Sequence, residues 1–154
     1  MQIAASNDDV VACFDVMKEL RPQLSRDQFL DTIRRMQQEG YQLGFLKNGE
    51  EVVSVAGFRT CLNFAAEGKA LYVYDFVTSA GHRSKGFGSK MLHGLERFAH
   101  ENHCVIVHLD SGVFRYQAHK FYLANDYEIR AHHFLKRIDE KLSTFDQQGS
   151  AQLK

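Results

Sequence analysis

Apolar positions along the chain change their spacing several times, and each change marks an element. Near the N-terminus Val10, Phe14 and Met17, with Val11 and Leu20, follow the three-and-four spacing of one helix face. Ser6 and Asp9 stand where a capping box would open that helix, hydroxyl first and carboxylate three residues on. A second helix is expected from Ser25, with Gln28 completing another box, Leu24 and Phe29 forming a hydrophobic staple, Ile33 and Met36 continuing the face and Gly40 ending it. The period then drops to two, and Tyr41, Leu43 and Phe45 alternate as in a half-buried strand. Asn48-Gly49 predicts a tight hairpin turn, with Val53, Val55 and Gly57-Phe58 in the returning strand. Residues 63–68 read as a loop, and 71–78, rich in aromatic and β-branched residues, as a further strand.

A glycine-rich turn over 81–88 follows. Phe87, Met91, Leu95 and Phe98, supported by Leu92, trace the apolar face of the next helix. Residues 105–109 are short, apolar and strand-like; Ala118, Phe121 and Tyr122 fall on a later helix; 127–135 predicts a closing strand. The order is helix, helix, hairpin, strand, helix, strand, helix, strand. Antiparallel pairing comes first and crossover units last, which predicts an α/β fold, a central mixed sheet flanked by helices on both faces. One domain is expected over 1–138, and 139–154 reads as a polar C-terminal tail.

Composition narrows the function classes. The chain has 154 residues, with 19 Lys plus Arg against 19 Asp plus Glu, so no electrostatic footprint favours nucleic acid or an anionic membrane. No apolar run is long enough to span a bilayer, and the polar, then acidic start does not read as a signal peptide. Cys13, Cys61 and Cys104 are odd in number and lack zinc spacing, which points to free thiols and a cytoplasmic setting. No metal is expected. His100 and His103 are helix neighbours, and His132-His133, adjacent in a strand, would face opposite ways.

Candidate chemistry centres on Arg83-Ser84-Lys85-Gly86-Phe87-Gly88, between a strand and an amphipathic helix. The first turn of a helix has unpartnered N–H groups, and these with the helix dipole favour a phosphate. Gly86 and Gly88 let the backbone approach it, Arg83 and Lys85 add positive charge, and Ser84 and Ser89 add hydroxyls. The mononucleotide P-loop fits badly: Gly81 and Gly86 have its spacing, but Phe87 stands where it needs lysine. The dinucleotide fingerprint fits badly too, because Met91 occupies its third glycine position. The simplest alternative is that the glycines only end a strand and start a helix.

With Arg83, Gly86 and Gly88 in that context, and Ala118 and Tyr122 four apart downstream with Phe121-Tyr122 as the dipeptide, the sequence resembles the GNAT superfamily of acetyl-CoA-dependent N-acetyltransferases. The resemblance implies a GNAT-like fold and transfer of acetyl from acetyl-CoA to a primary amine of a small molecule, amino acid or peptide by direct attack. It implies that Arg83, Ser84, Lys85, Gly86, Phe87, Gly88 and Ser89 cradle the pyrophosphate, and that backbone at Phe76, Val77 and Thr78 pairs with the pantetheine arm. It gives an N–H near Val77 to the developing oxyanion, Tyr122 to the thioester sulfur, and Asp75 to the amine. Asp75 alternates with Leu71, Val73 and Val77, an expensive place for a carboxylate unless it is paired or functional. Arg115 stands where the family commonly has Asn, and Asp126 where it commonly has Gly; Asn125 is expected to take the left-handed role at that helix end. The expected partners are a CoA thioester and an amine acceptor, with a homodimer as one possible assembly. Two other readings use the same loop: a non-catalytic acyl-CoA sensor and a nucleoside-phosphate binder. The acceptor side would draw on Arg21, Arg26, Arg34, Arg35, Tyr41, Arg59 and Asn63, and Asp110 could meet a cation.

Overall fold

The computed structural model describes residues 1–136 and residue 138. Five strands form one sheet in chain order: β1 (Gln2–Ile3), β2 (Tyr41–Asn48), β3 (Glu51–Asn63), β4 (Gly68–Thr78) and β5 (Cys104–Leu109). The first four pair antiparallel, and β4 pairs β5 in parallel. Helices α1 (Asn7–Ala12), α2 (Phe14–Leu20) and α3 (Arg26–Gln38) precede β2; α4 (Phe87–Glu101) joins β4 to β5; α5 (Tyr116–Leu123) follows.

Alternation on the strands divides the core. Tyr41, Leu43, Phe45 and Val55 face one way and pack with Val10, Phe14, Met17, Phe29 and Ile33 of α1 to α3. Ala56, Phe58, Leu71 and Val73 face the other way and pack with Met91, Leu95 and Ala99 of α4. The expected helices on both faces of a mixed sheet are therefore present.

Four local expectations need correction. The predicted first helix is two, because the chain breaks at Cys13, which ends α1 and starts α2. Its capping box forms as predicted: Asp9 N donates to Ser6 Oγ, and Asp9 Oδ2 accepts from Ser6 N at 3.0 Å. The second box does not form, since the Ser25 side chain makes no capping bond. At the end of α5 the left-handed residue is Asp126 (φ 63°), not Asn125, whose side-chain amide donates to Phe121 O at 2.8 Å. No strand forms over 127–135. Its alternation fails where His132-His133 and Phe134-Leu135 put like residues side by side, and Ile129, Phe134 and Leu135 are exposed rather than buried against the sheet. The expected tail, 139–154, lies outside the described residues.

Candidate active site

The site begins with a defect in a strand. Gly57 of β3 faces Asp75 of β4, but Phe58 faces Val73, so Tyr74 is an extra residue, a β-bulge. The bulge reverses the alternation. Leu71 and Val73 face α4, whereas Val77 joins the core of α1 to α3. Asp75 therefore shares a face with Val77 and not with Leu71 and Val73, contrary to simple alternation. There Tyr41 Oη donates to Asp75 Oδ2 at 2.9 Å, and Arg21 Nε donates to Asp75 Oδ1 at 2.8 Å. Arg21 also reaches the Tyr74 carbonyl at 3.2 Å, on the bulge itself. The costly carboxylate is thus paired, and an ionised carboxyl keeps further lone pairs for another donor.

Tyr41 reaches Asp75 only because Gly57 has no side chain. A Cβ at Gly57 would fall on the Tyr41 phenol. Burial, with the Asp75 charge beside it, pushes the Tyr41 hydroxyl far above its usual range, so it remains a donor.

Beyond the bulge β4 leaves β5. The last parallel pair is Val73 with Leu109, while Asp75 to Thr78 remain paired with β3 alone. Ser79 N donates to Val53 O at 2.9 Å, so by alternation the Val77 N–H points to β3 and those of Phe76 and Thr78 point to the open side. The free donors nearest Val77 are therefore its two neighbours. On the same open edge Arg83 Nε holds the Thr78 carbonyl at 3.2 Å.

A cleft of about 210 Å³ fills the gap between the diverging strands, lined by Tyr74, Phe76, Asp110, Ser111, Arg115 and Tyr122 among others. Tyr122 sits edge-on to Phe76, their ring centroids 6.1 Å apart. Burial raises its phenol pKa, with Arg115 pulling weakly the other way, so the hydroxyl stays protonated at neutral pH and can donate. Arg115, where Asn was the family's habit, thus lies beside the predicted donor.

The glycine turn closes the far end. Gly86 is the N-cap of α4 with φ 81°, a left-handed conformation that suits glycine, and it has no side chain to cap the first turn. Ser84 is also left-handed, at φ 59°. The turn thus presents the backbone N–H groups around Phe87, Gly88 and Ser89 outward at the positive end of a 15-residue helix. Gly88 has a second reason to be glycine: a Cβ there would press on the Phe121 ring at 3.3 Å, so α4 and α5 meet closely. The two cations of the turn are both engaged by the protein itself. Lys85 Nζ bonds Gly81 O at 2.8 Å, and Arg83 Nη2 pairs with Glu19, whose carboxylate also accepts from Ala80 N. Glu19 carried no sequence signal.

The other side of Asp75 opens into a cavity of about 390 Å³ between α2, α3 and the sheet. Leu24, Phe29, Ile33 and Met36 give it an apolar side, and Arg21, Glu39, Arg59, Tyr41, Tyr74 and Asp75 a polar one. Of the residues named for the acceptor side, Arg21, Tyr41 and Arg59 line it. Arg26 instead pairs with Asp15, Arg34 braces Asn7 and the Ala5 carbonyl, and Asn63 accepts from Ala66 N at the β3–β4 turn. Asp110 accepts from the Tyr72 hydroxyl and contacts His133 Nδ1 at 2.8 Å. Among the described residues no three His, Cys, Asp or Glu are grouped to hold a metal, and Cys13, Cys61 and Cys104 are free thiols.

A family model for the acetyltransferase (GNAT) family matches residues 8–127. A protein of Bacillus subtilis (strain 168), described as "Uncharacterized N-acetyltransferase YhdJ", is 29% identical over 123 residues, covering 79% of this chain and 86% of that protein. The fold is similar to that of a putative acetyltransferase from Agrobacterium tumefaciens str. C58 (TM-score 0.77, 18% identity, 90% of this chain and 100% of that one). It is also similar to a ribosomal-protein-alanine N-acetyltransferase from Brucella melitensis biovar Abortus 2308 (TM-score 0.75, 14% identity, 90% and 100%). At such identities these likenesses concern the fold.

Proposed function

Because the chain belongs to the GNAT family of acetyltransferases, whose cosubstrate is acetyl-CoA, we propose that it moves the acetyl group to a primary amine by direct attack, with Tyr122 and Asp75 as its working side chains. The observation that carries this reading is the bulge at Tyr74. It turns Asp75 towards the cavity of Arg21 and Tyr41 and leaves Phe76 on the cleft that holds Tyr122. The acetyl donor and the acceptor then have separate approaches that meet at β4.

The outward N–H groups of the turn at Gly86 suit the pyrophosphate of the cosubstrate, and the open edge at Phe76 to Thr78 suits its amide-bearing arm. An acceptor ammonium, with a pKa near ~10.4 if lysine-like, must lose a proton before it attacks. Asp75 holds and orients the ammonium, and the proton it loses passes by way of Asp75 to solvent. As nitrogen bonds to the carbonyl carbon, the oxyanion lies beside the free N–H groups of Phe76 and Thr78. The C–S bond then breaks; Tyr122 passes its hydroxyl proton to the leaving sulfur and is restored by the second proton of the attacking nitrogen, which that nitrogen sheds as it becomes the amide.

The test is Tyr122→Phe. Acid help of this kind is worth roughly 10²–10⁴-fold, and a thiolate leaves readily, so turnover should fall about a hundredfold with acetyl-CoA binding unchanged. Wild-type turnover in the variant would remove Tyr122 from the mechanism. A wild-type protein that binds acetyl-CoA but acetylates no amine in a broad panel would favour the sensor.

A further inference from the structure

The cavity beside Asp75 has a charge pattern that few amines match. Arg21 and Asp75 sit side by side on its polar side, a cation and an anion 2.8 Å apart, with Leu24, Phe29, Ile33 and Met36 on its apolar side. From this we infer that the acceptor is a free α-amino acid with an apolar side chain; the inference rests on the acetyl-transfer reading above. An α-amino acid carries its ammonium and carboxylate on one carbon, the same adjacent pair with signs reversed. Its ammonium meets Asp75 and its carboxylate meets Arg21.

The donors and acceptors suffice without breaking the existing pair. Arg21 uses two of its five N–H groups, one on Asp75 and one on the Tyr74 carbonyl, which leaves three for a second carboxylate. Each Asp75 oxygen accepts one bond, from Arg21 or from Tyr41, and retains a lone pair for the ammonium. Arg21 also lines the cleft of Tyr122, so an amine anchored at this pair stands at the border between the two spaces.

Other amine classes fit less well. A diamine would bring its second cation towards Arg21 and Arg59, since the cavity's other carboxylate, Glu39, is already paired with Arg59 at 3.7 Å and is largely exposed. A peptide N-terminus or a protein lysine has no carboxylate next to its amine and leaves the remaining Arg21 donors unmatched. The cavity, about 390 Å³, lies in the usual range for small-molecule sites, and its apolar side suits leucine, methionine or phenylalanine.

Initial rates of CoA release from acetyl-CoA would be measured with L-leucine, L-methionine and L-phenylalanine. The comparison set is L-leucinamide, 3-methylbutylamine and 2-phenylethylamine. Removing the carboxylate should lower kcat/KM roughly tenfold or more, as expected when a site's polar group loses its partner. Arg21→Gln should erase most of the difference between L-leucine and L-leucinamide, a readout that general damage to the fold would not produce. Equal use of leucinamide, or turnover of another amine class with all three amino acids inert, overturns the inference and leaves acetyl transfer standing. No turnover with any amine, despite saturable acetyl-CoA binding, overturns acetyl transfer itself.

Discussion

Asp75, proposed to hold the acceptor amine, is set in place by three residues. Arg21 and Tyr41 each occupy one of its oxygens, and Gly57 leaves room for Tyr41 to cross β3. Gly57→Ala should therefore act at a distance. Its methyl group overlaps the Tyr41 ring as well as its hydroxyl, so Tyr41 must leave and Asp75 loses a partner. Overpacking of this kind costs roughly 1–3 kcal/mol, to be read as a lower denaturation midpoint. Turnover should fall too, while acetyl-CoA binding holds, since the cosubstrate contacts proposed at the turn and on the open edge of β4 do not involve Tyr41. Adding Tyr41→Leu should restore the stability but not the turnover, whereas Tyr41→Phe should restore neither, because the ring still collides. An unchanged midpoint in Gly57→Ala would mean that the ring has another place to go. At this scale the sequence singled out Asp75 and Tyr122 as candidates from residue type and position, and the structure sets them on either side of β4 at Phe76. It was silent on Gly57, Arg21 as Asp75's partner, and Glu19, because their roles depend on neighbours 16, 54 and 61 residues away, distances that no local pattern records.

Elements repeat the lesson in another form. The turn into α4 was legible because its signal is local: glycine, charge and an apolar helix face within one window. Gly86 tests it. At φ 81° an L-residue carries a steric cost of about 1–2 kcal/mol, so Gly86→Ala should lose about that much stability, and Gly86→Asn less, since Asn tolerates the left-handed region. Equal losses for Ala and Asn would show that the turn relaxes instead of holding its shape. The bulge at Tyr74 was not legible. Leu71, Val73 and Val77 are all apolar, so Asp75 reads as one polar exception on a continuous face, and only pairing with β3 exposes the extra residue. The absent closing strand is the converse. Its composition suits a strand, but composition does not supply a partner: only Tyr127 packs inward, on Tyr122, while Ile129, Phe134 and Leu135 stay exposed.

At the scale of the whole molecule the parts predict one linked behaviour. The proposed cradle lies on α4, the open edge on β4 and the proposed donor on α5, three elements that pack against one another through Phe76, Gly88, Phe121 and Tyr122. A ligand that touches all three binds the folded chain and not the unfolded one, so it must raise thermal stability by mass action. At a hundred times its dissociation constant the gain is about 2.7 kcal/mol. A chain of this length shifts its Tm by roughly 2–4 °C per kcal/mol, which places the expected rise near 5–10 °C with acetyl-CoA. ATP, which has a polyphosphate but no arm to pair with β4, should shift it much less at equal concentration. Gly86→Glu, which sets a like charge against the pyrophosphate, should abolish the acetyl-CoA shift while leaving a cooperative transition. If ATP protects as well as acetyl-CoA, the turn is a general phosphate site and the open edge of β4 plays no part in binding. If neither protects a cooperatively folded wild-type chain, the glycine turn is architecture and the cradle assignment falls.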